Sequence, residues 1–193
     1  MSTKVSKSTE EQINLALKVL KNDGVILYPT STVWGIGCLA SSKVGLDKIR
    51  SIKNRNKNHS FLGLIASEKS LNKYVSNIPK KALEIIKESS IQKTIIYQNP
   101  KKIISNITNV NNEVALRITN LPYLKKLISL LDSPLVSTSA NISGNKTPNH
   151  FSKIEKEIID KVDLILSIDV ESTNEPSTII KINSNGEIKE IRK

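Results

Sequence analysis

The chain has 193 residues and a hydrophobic content of 38%, which indicate one globular domain with its own core rather than a disordered chain. Its apolar runs are far shorter than the ~20 residues that span a membrane, and "MSTKVSKSTEEQ" lacks the apolar region of a secretory signal, so we expect a cytoplasmic protein without membrane contact. Its single cysteine excludes an internal disulfide, and its net charge of +11 suits a polyanion such as RNA or a nucleotide, although dispersed lysines are equally typical of a generic basic surface.

The first half of the chain predicts helices that alternate with short buried strands. Ser8 and Glu11 form a capping box at the start of a helical apolar pattern, and Gly24 suits a left-handed helix end. The run "VILYPT" is typical of a buried strand that breaks into a loop at a proline. The predicted helices cover 8–22, 42–52 and a segment that begins at Pro79, and the predicted strands cover 25–30 and 61–67.

The second half continues this alternation, but several of its strands follow one another without a crossover helix. The predicted strands cover 93–98, 113–119, 162–168, 177–182 and 187–193, and the segment 133–141 is predicted as a strand that runs into a polar loop. The predicted helices cover 121–131 and a segment near 151–160. Because parallel neighbours need a crossover connection, we expect a mixed sheet. The sequence therefore predicts a single-domain α/β fold over 1–193, with a core of about 8–192 and helices flanking the sheet.

Two polar clusters follow predicted elements in the first half. The segment "PTSTVWGIG" (29–37) places three hydroxyl groups and two glycines after a strand, where open α/β sheets bind their ligands. Its glycines let the backbone approach a ligand or turn sharply, and a turn whose hydroxyls bind their own backbone is an equal alternative. Lys53 and Arg55 can both reach one polyphosphate, although the C-terminus of a helix favours cations in any case.

A third polar cluster, "VSTSANISG" (136–144), follows another predicted strand. Ser137, Ser139 and Asn141 alternate, so an extended loop points them the same way, which suits phosphate oxygens and a ribose. The sequence contains neither a Gly-x-Ser-x-Gly elbow nor a P-loop, so it does not belong to those two site classes. Arg117 lies inside the apolar strand "VALRIT" and needs an anionic partner, either an internal Asp or Glu or a substrate carboxylate.

Taken together, and in this order, the segments resemble the YrdC-like family, the L-threonylcarbamoyladenylate synthases. The family's "PT-[DE]-TVYG" loop corresponds to "PTSTVWG", its Lys-x-Arg to "KNR", its "VA-x-R" strand to "VALR", its Ser-x-Asn to "STSANISG" and its late Ser-Thr-Ile to "PSTII". The resemblance runs from about Gly24 to Arg192. It implies a twisted, mixed α/β sheet with a basic concave face.

The resemblance also implies a nucleotidyl transfer in which ATP, L-threonine and bicarbonate, with Mg²⁺ carried by ATP, give threonylcarbamoyl-AMP and pyrophosphate. The product supplies the t⁶A modification of tRNAs that read ANN codons, so the implied partners are the proteins that complete t⁶A transfer, with tRNA or double-stranded RNA as a candidate contact. The family motifs place L-threonine on Thr32, Arg117, Ser137 and Ser177. They place ATP on Lys53, Arg55, His59, Ser139, Asn141 and Thr147, with Lys53 and Arg55 as the catalytic cations.

Four positions depart from the family pattern. Ser31 replaces an acidic residue, Trp34 replaces a tyrosine, and "SSIQKT" keeps only Thr94 of the family's "WPGPLT". Glu113 takes a position that is usually Ser or Thr, and it would repel a nucleotide phosphate if it faced the site.

Two other functions are compatible with this fold. One is a non-catalytic RNA-binding module that uses the basic charge, and the other is carbamoyl transfer of the hydrogenase-maturation type, which belongs to a much larger chain with additional domains. Retention of Thr32, Arg117 and Ser177 favours the synthase, because a phosphate-only binder has no use for an amino-acid pocket.

Overall fold

A computed structural model of the chain describes residues 7–56, 60–88, 93–183 and 185–192. Within these ranges the α-helices are Thr9–Lys21 (α1), Lys43–Lys53 (α2), Glu68–Tyr74 (α3), Lys80–Glu88 (α4), Pro122–Leu131 (α5) and Lys156–Lys161 (α6). The strands are Ile26–Tyr28 (β1), Gly35–Gly37 (β2), Leu62–Ile65 (β3), Thr94–Gln98 (β4), Glu113–Ile118 (β5), Leu135–Ser139 (β6), Leu164–Ile165 (β7), Ile179–Ile182 (β8) and Ile188–Arg192 (β9). Short 3-10 helices cover Lys102–Ile107 and Phe151–Lys153.

These strands form one sheet in the order β7-β1-β2-β6-β3-β5-β4-β8-β9. The pairs β7–β1, β3–β5 and β4–β8 are parallel, and the other neighbours are antiparallel. The prediction of a mixed α/β sheet flanked by helices is therefore confirmed. None of the helices in the described ranges is long and apolar enough to cross a membrane.

Helices cover the two faces of the sheet unequally. On one face, α1 and α5 pack against β1, β3 and β6 in a cluster that includes Ile13, Leu20, Tyr28, Leu64, Leu124, Leu127 and Leu135. On the other face, α2, α3, α4 and α6 contribute to a larger cluster that includes Leu27, Leu46, Ile49, Leu71, Ile85, Ile95, Leu116, Val136, Ile158 and Ile180. Leu135 and Ser137 of β6 project to the same face because side chains alternate along a strand. Leu135 belongs to the α1–α5 cluster, whereas Ser137 lines an open cavity beside it.

The first helix begins as predicted but ends differently. The capping box is confirmed, because the Ser8 hydroxyl accepts from the Glu11 backbone N–H and the Glu11 carboxylate accepts from the Ser8 backbone N–H. The left-handed residue after α1 is Asp23, with φ of 60°, and not Gly24. Gly24 is instead a close-contact position, since a Cβ there would lie 2.8 Å from the Val19 carbonyl oxygen.

Strand β2 is the main element that the sequence did not predict. The segment "GIG" resembles a loop, yet Gly35 and Gly37 pair with β1 on one side, and Gly35 also pairs with β6 on the other. Gly37 is required by this packing, because a Cβ there would lie only 2.0 Å from the Val136 carbonyl oxygen. The predicted strand 162–168 shortens to β7, the predicted helix near 151–160 divides into Phe151–Lys153 and α6, and both α3 and Lys102–Ile107 were not predicted.

Candidate active site

A cavity of about 400 Å³ opens beside the sheet, and the strands that contribute to its lining include β2, β4, β5, β6 and β8. Its wall consists of hydroxyl groups, arginines and apolar side chains, with no carboxylate among the described residues that line it. The polar side chains of this wall are Thr30, Thr32, Arg55, Ser60, Thr94, Arg117, Ser137, Thr138, Ser139, Thr147, Ser177 and Arg192. The cavity is thus positively charged, while the basic concave face as a whole stays a prediction.

Arg117 lies on β5 at the base of the cavity and is 8% exposed. Its Nε donates to Thr94 Oγ1 at 3.0 Å, its Nη2 donates to Ser177 Oγ at 2.5 Å, and its Nη1 lies 3.4 Å from Thr32 Oγ1. Throughout the part of the chain that the structure describes, no carboxylate pairs with this guanidinium. The internal Asp or Glu that a strand-interior arginine normally requires is therefore replaced by hydroxyl groups.

Burial shapes the electrostatics of this arginine. Removal from water, opposed by Tyr28 and reinforced by the positive charge of Arg192, lowers the pKa of Arg117 to about 10. Neutral hydroxyls compensate the charge only in part. The geometry therefore leaves a buried cation that an anionic ligand can neutralise.

The loop between β1 and β2 has features of both interpretations made from the sequence: a hydroxyl binds the backbone of its own turn, and hydroxyls also line the cavity. Thr30 binds its own turn, because its Oγ1 donates to the Val33 carbonyl oxygen at 2.7 Å and accepts from the Thr32 backbone N–H at 3.1 Å. Thr32 Oγ1 lies 2.9 Å from Thr30 Oγ1 and faces Arg117. Ser172 donates to the Thr32 carbonyl oxygen and so holds this loop from the segment after β7.

Arg55 lines the cavity and is fixed by three contacts. Its Nη1 donates to Thr138 Oγ1 and its Nη2 donates to the Ser60 carbonyl oxygen, each at 2.8 Å. The guanidinium lies 4.9 Å from the centroid of the Phe61 ring, within cation–π range. Burial lowers the pKa of Arg55, and the neighbouring positive charge of Arg50 lowers it further.

Lys53 does not line the cavity. It is 3% exposed, and its Nζ donates to the carbonyl oxygens of Ser139 and Asn141, each at 2.5 Å. Burial, together with the Arg55 charge and against a smaller opposing effect of Glu155, lowers the pKa of Lys53 to about 8. Lys53 therefore supports the loop after β6 from behind.

The remaining predicted nucleotide residues divide between the cavity and its surroundings. Ser139 and Thr147 line the cavity. Asn141 lies outside its lining, where its Nδ2 donates to the carbonyl oxygens of Ile142 and Asn145 at 2.9 Å each. His59 lies outside the described residues.

The predicted threonine residues come together as a group. Thr32, Arg117, Ser137 and Ser177 all line the cavity. Each of the four is less than one-tenth exposed. The ligand roles that the resemblance assigns to them, like those of the nucleotide residues, stay predictions.

Among the residues of the cavity wall that were missed from the sequence are Arg192, Thr94 and Thr138. Arg192 donates from Nη2 to the Ser177 carbonyl oxygen at 2.8 Å, and it lies in an exposed C-terminal strand that carries no motif. Thr94 was noted only as the remnant of an altered segment, and Thr138 lies between two residues of the alternating row. Their contacts depend on neighbouring strands, so no local pattern indicates them.

Glu113 belongs to the same strand as Arg117 but does not line the cavity. Its carboxylate lies 2.5 Å from Lys181 Nζ and accepts from Asn109 Nδ2 at 3.1 Å. Burial raises the pKa of Glu113, but the hydrogen bonds from Lys181 and Asn109 outweigh it and leave the pKa below its usual value. The expected repulsion of a phosphate by Glu113 therefore does not arise at the cavity wall.

A comparison with known families agrees with this geometry. The model for Sua5, YciO and YrdC proteins, described as "Telomere recombination", matches residues 18–193. The chain belongs to this family. The resemblance inferred from the five motifs is thus confirmed.

Curated relatives of similar length carry one name. A protein of Psychromonas ingrahamii named threonylcarbamoyl-AMP synthase is 31% identical over 163 residues, which cover 83% of this chain and 85% of the relative. A protein of Methanocaldococcus jannaschii named putative threonylcarbamoyl-AMP synthase is 29% identical, with coverage of 94% and 87%. These relatives are named as enzymes.

Solved structures share the fold. P. abyssi Sua5, crystallised with L-threonine, is 25% identical with a TM-score of 0.82 and covers 92% of this chain. The chain spans only about half of that protein, 52% of its length. YciO of E. coli has a TM-score of 0.79 at 22% identity, with coverage of 97% of this chain and 91% of YciO, and it bears on the fold alone.

Proposed function

We propose that this protein is a threonylcarbamoyl-AMP synthase, a nucleotidyltransferase that joins L-threonine, bicarbonate and ATP. The observation that carries the proposal is Arg117, a buried guanidinium at the base of a cavity with hydroxyl partners and no carboxylate partner in the described ranges. Such a group favours a ligand that brings its own carboxylate. An amino-acid substrate has this property, and the name shared by the curated relatives supports L-threonine as that substrate.

The threonine end of the cavity is the wall around Arg117. The guanidinium takes the substrate carboxylate, and the hydroxyls of Thr32, Ser137 and Ser177 surround the rest of the amino acid. Because these groups are held by hydrogen bonds before the ligand arrives, little ordering is left to be done on binding.

The nucleotide end is the wall formed by Arg55, Ser139 and Thr147. Arg55 neutralises the triphosphate, and the loop that carries Ser139 is supported from behind by Lys53. His59 and Asn141 complete the predicted nucleotide set. The described lining offers no carboxylate to a metal, which fits Mg²⁺ carried by ATP, where the ion would neutralise phosphate charge beside Arg55.

The chemistry requires positioning more than a protein nucleophile. The threonine amine and bicarbonate form a carbamate with release of water, and a carbamate oxygen then attacks the α-phosphorus of ATP. The bond from the α-phosphorus to the bridging oxygen breaks, and pyrophosphate leaves with that oxygen and its electron pair. Arg55 stabilises the charge that builds on the phosphates, a contribution that can be worth ~3–4 kcal/mol for a single donor.

The test is to incubate the pure protein with ATP, Mg²⁺, bicarbonate and L-threonine, and to follow threonylcarbamoyl-AMP and pyrophosphate by mass spectrometry. We expect product only when all substrates are present, and none from an Arg117→Met variant. A folded protein that forms no product, but binds RNA with an affinity that falls steeply with salt, would overturn the synthase and favour the RNA-binding module. A requirement for carbamoyl phosphate in place of threonine and bicarbonate would favour the carbamoyl-transfer alternative.

The product of the proposed reaction, threonylcarbamoyl-AMP, requires an acceptor in a following step. Threonylcarbamoyl-AMP carries an activated carbamoyl group that an amine can attack, and the acceptor in this proposal is the t⁶A site of tRNA, reached with the proteins that complete the transfer. Contact with tRNA and location in the cytoplasm belong to the same proposal.

A further inference from the structure

Thr94 touches the centre of the candidate threonine pocket although it belongs to no predicted ligand set. It is the first residue of β4 and is 1% exposed. Its Oγ1 accepts a hydrogen bond from Arg117 Nε at 3.0 Å and lies 3.0 Å from Ser177 Oγ. Thr94 is therefore in contact with the two side chains that define the base of the cavity.

The hydroxyls of Thr94 and Ser177 occupy one particular edge of the Arg117 guanidinium. A guanidinium presents two edges that can hold a carboxylate in a bidentate manner, the side edge formed by Nε and Nη2 and the end edge formed by Nη1 and Nη2. Thr94 accepts from Nε and Ser177 accepts from Nη2, and their oxygens lie side by side. The side edge is thus filled by protein, whereas the end edge has only the longer contact of Nη1 with Thr32 Oγ1, at 3.4 Å, and faces a ligand in the cavity.

The direction of the Thr94–Ser177 hydrogen bond adds to this effect. Both oxygens accept from Arg117, so one of the two hydroxyls donates to the other. Thr94 is the more deeply buried of the two, at 1% against 4% exposure. With Thr94 as the donor, the more deeply buried hydroxyl has its proton paired, and the Ser177 proton remains available to a ligand oxygen in the cavity.

The backbone fixes both hydroxyls in place. The Thr94 N–H donates to the Thr178 carbonyl oxygen at 2.9 Å, at the start of the parallel β4–β8 pair. Arg192 donates from Nε and Nη2 to the Ser177 carbonyl oxygen at 3.2 and 2.8 Å. The two hydroxyls therefore belong to the sheet and its edge rather than to a free loop.

From these contacts we infer that Thr94 is a positioning residue for L-threonine. It fixes the side edge of Arg117, so that the end edge faces the substrate carboxylate, and it orients the Ser177 hydroxyl toward the same ligand. The inference rests on the proposed function, because it names the part of that site which selects a carboxylate. It assigns a role in this chain to a residue that the altered "SSIQKT" segment retains.

The test compares Thr94→Val, which keeps the shape and removes the hydroxyl, with Thr94→Ser, which keeps the hydroxyl. Direct binding of L-threonine and of L-threoninol, which lacks the carboxylate, is measured by calorimetry on the full chain. We expect Thr94→Val to weaken L-threonine binding about tenfold with little change for L-threoninol, and Thr94→Ser to bind like the wild type. ATP binding is expected to stay unchanged in both variants.

A second background separates positioning from simple packing. In the Arg117→Met background, which no longer binds L-threonine, Thr94→Val is expected to leave L-threoninol binding unchanged, because the group that Thr94 orients is gone. Equal loss of L-threonine and L-threoninol binding in Thr94→Val, or a loss of L-threoninol binding that persists without Arg117, would show a structural role only and overturn the inference. If the wild type itself binds no L-threonine, the proposed function fails, whereas wild-type binding that Thr94→Val leaves intact refutes only the role of Thr94.

Discussion

The Nζ atom of Lys53 lies 2.5 Å from the backbone carbonyl oxygen of Asn141, so the end of α2 is tied to the loop that follows β6. A second hydrogen bond, to the Ser139 carbonyl oxygen, makes the lysine a bridge across that loop. Its charge lies behind the cavity wall rather than in it. Arg55, two residues later, reaches the cavity itself. Under the proposed function, the two cations of the Lys-x-Arg motif are therefore expected to act on the nucleotide in different ways.

This arrangement predicts a pH dependence of ATP binding. The protonated form of Lys53 favours a bound polyanion, and its pKa in the free protein is about 8. The affinity for ATP is therefore expected to fall as pH rises through ~8 and to level off once the lysine is neutral. Calorimetric titration of ATP at a series of pH values measures this, and Lys53→Met should bind weakly with the dependence near pH 8 removed.

Arg55→Met is the matched control, since it removes a cation whose charge does not change in that range. We expect this variant to bind ATP more weakly but to keep the pH dependence, with its midpoint moved to higher pH. The shift follows because the Arg55 charge lowers the pKa of Lys53 in the wild type. A profile that is flat in the wild type, or unaltered in Lys53→Met, contradicts the role given to Lys53.

Replacement of Arg117 is expected to affect stability and function in opposite directions. Burial lowers its pKa to about 10, so folding disfavours the charged form when no anion is bound. If Met replaces it, Thr94 and Ser177 can still pair with each other at 3.0 Å, and Thr32 with Thr30 at 2.9 Å. We expect Arg117→Met to match or exceed the wild-type free energy of unfolding by ~1 kcal/mol in urea titrations, while L-threonine binding is lost.

Melting temperatures measured with and without L-threonine separate the effect of Arg117 on stability from its effect on binding. L-threonine is expected to raise the melting temperature of the wild type and to leave that of Arg117→Met unchanged. ATP binding should survive in the variant. A variant that unfolds well before the wild type without ligand would mean that the hydroxyls alone compensate the charge of Arg117, against the electrostatic argument made for the pocket.

Sequence reasoning succeeded where a local signal and the packing agree. The capping box of α1 and the buried strand around Arg117 follow from spacing and apolar character, and the structure has both. It failed at β2, because Gly35 and Gly37 carry no strand propensity and are explained only by the close approach of β6. Propensity cannot report a contact between segments that are ~100 residues apart.

In the candidate site, too, the sequence predicted what depends on local character and missed what depends on contacts between distant segments. The sequence identified Arg117 as a residue that needs an anion, since a charge inside an apolar strand is costly wherever it lies. It could not show that Lys53 turns toward backbone carbonyls while Arg55 enters the cavity, because both lie at the end of the same helix. The contributions of Thr94 and Thr138 could not be predicted from the sequence either, because they consist of contacts with side chains from other segments of the chain.

Thr138 is predicted to set the position of Arg55. Its hydroxyl accepts from Arg55 Nη1 at 2.8 Å, while its backbone continues the β2–β6 pairing opposite Ile36. Thr138→Val keeps the shape of the strand and removes the acceptor, so we expect the KM for ATP to rise about tenfold with the KM for L-threonine unchanged. Steady-state kinetics with each substrate varied in turn check this, and Thr138→Ser should behave as the wild type.

A double-mutant cycle decides whether Thr138 acts through Arg55. In the Arg55→Met background the valine substitution should change the KM for ATP by less than about twofold, since no guanidinium is left to orient. Additive effects in the double variant would instead place Thr138 in direct contact with the nucleotide or in the folding of β6.

The Glu113–Lys181 pair is predicted to stabilise the fold without taking part in nucleotide binding. The two side chains are 8% and 27% exposed and lie at the far end of β5 from Arg117, joined at 2.5 Å. Glu113→Gln leaves Lys181 without its carboxylate, so we expect the free energy of unfolding at neutral pH to fall by about 1–2 kcal/mol. The KM for ATP should stay within about twofold of the wild type, because the carboxylate is absent from the cavity wall.

The pH dependence of this loss has a definite sign. The folded-state pKa of Glu113 lies below its ordinary value of 4.5, so its contribution to stability is present above that value and disappears as the pH falls through the lower, folded-state pKa. Urea titrations of wild type and Glu113→Gln should therefore differ at neutral pH and converge in acid. Lys181→Met breaks the same pair from the other side and should also differ from the wild type less in acid than at neutral pH. A Glu113→Gln variant that binds ATP much more tightly than the wild type would mean that the carboxylate does repel the nucleotide despite its pairing with Lys181.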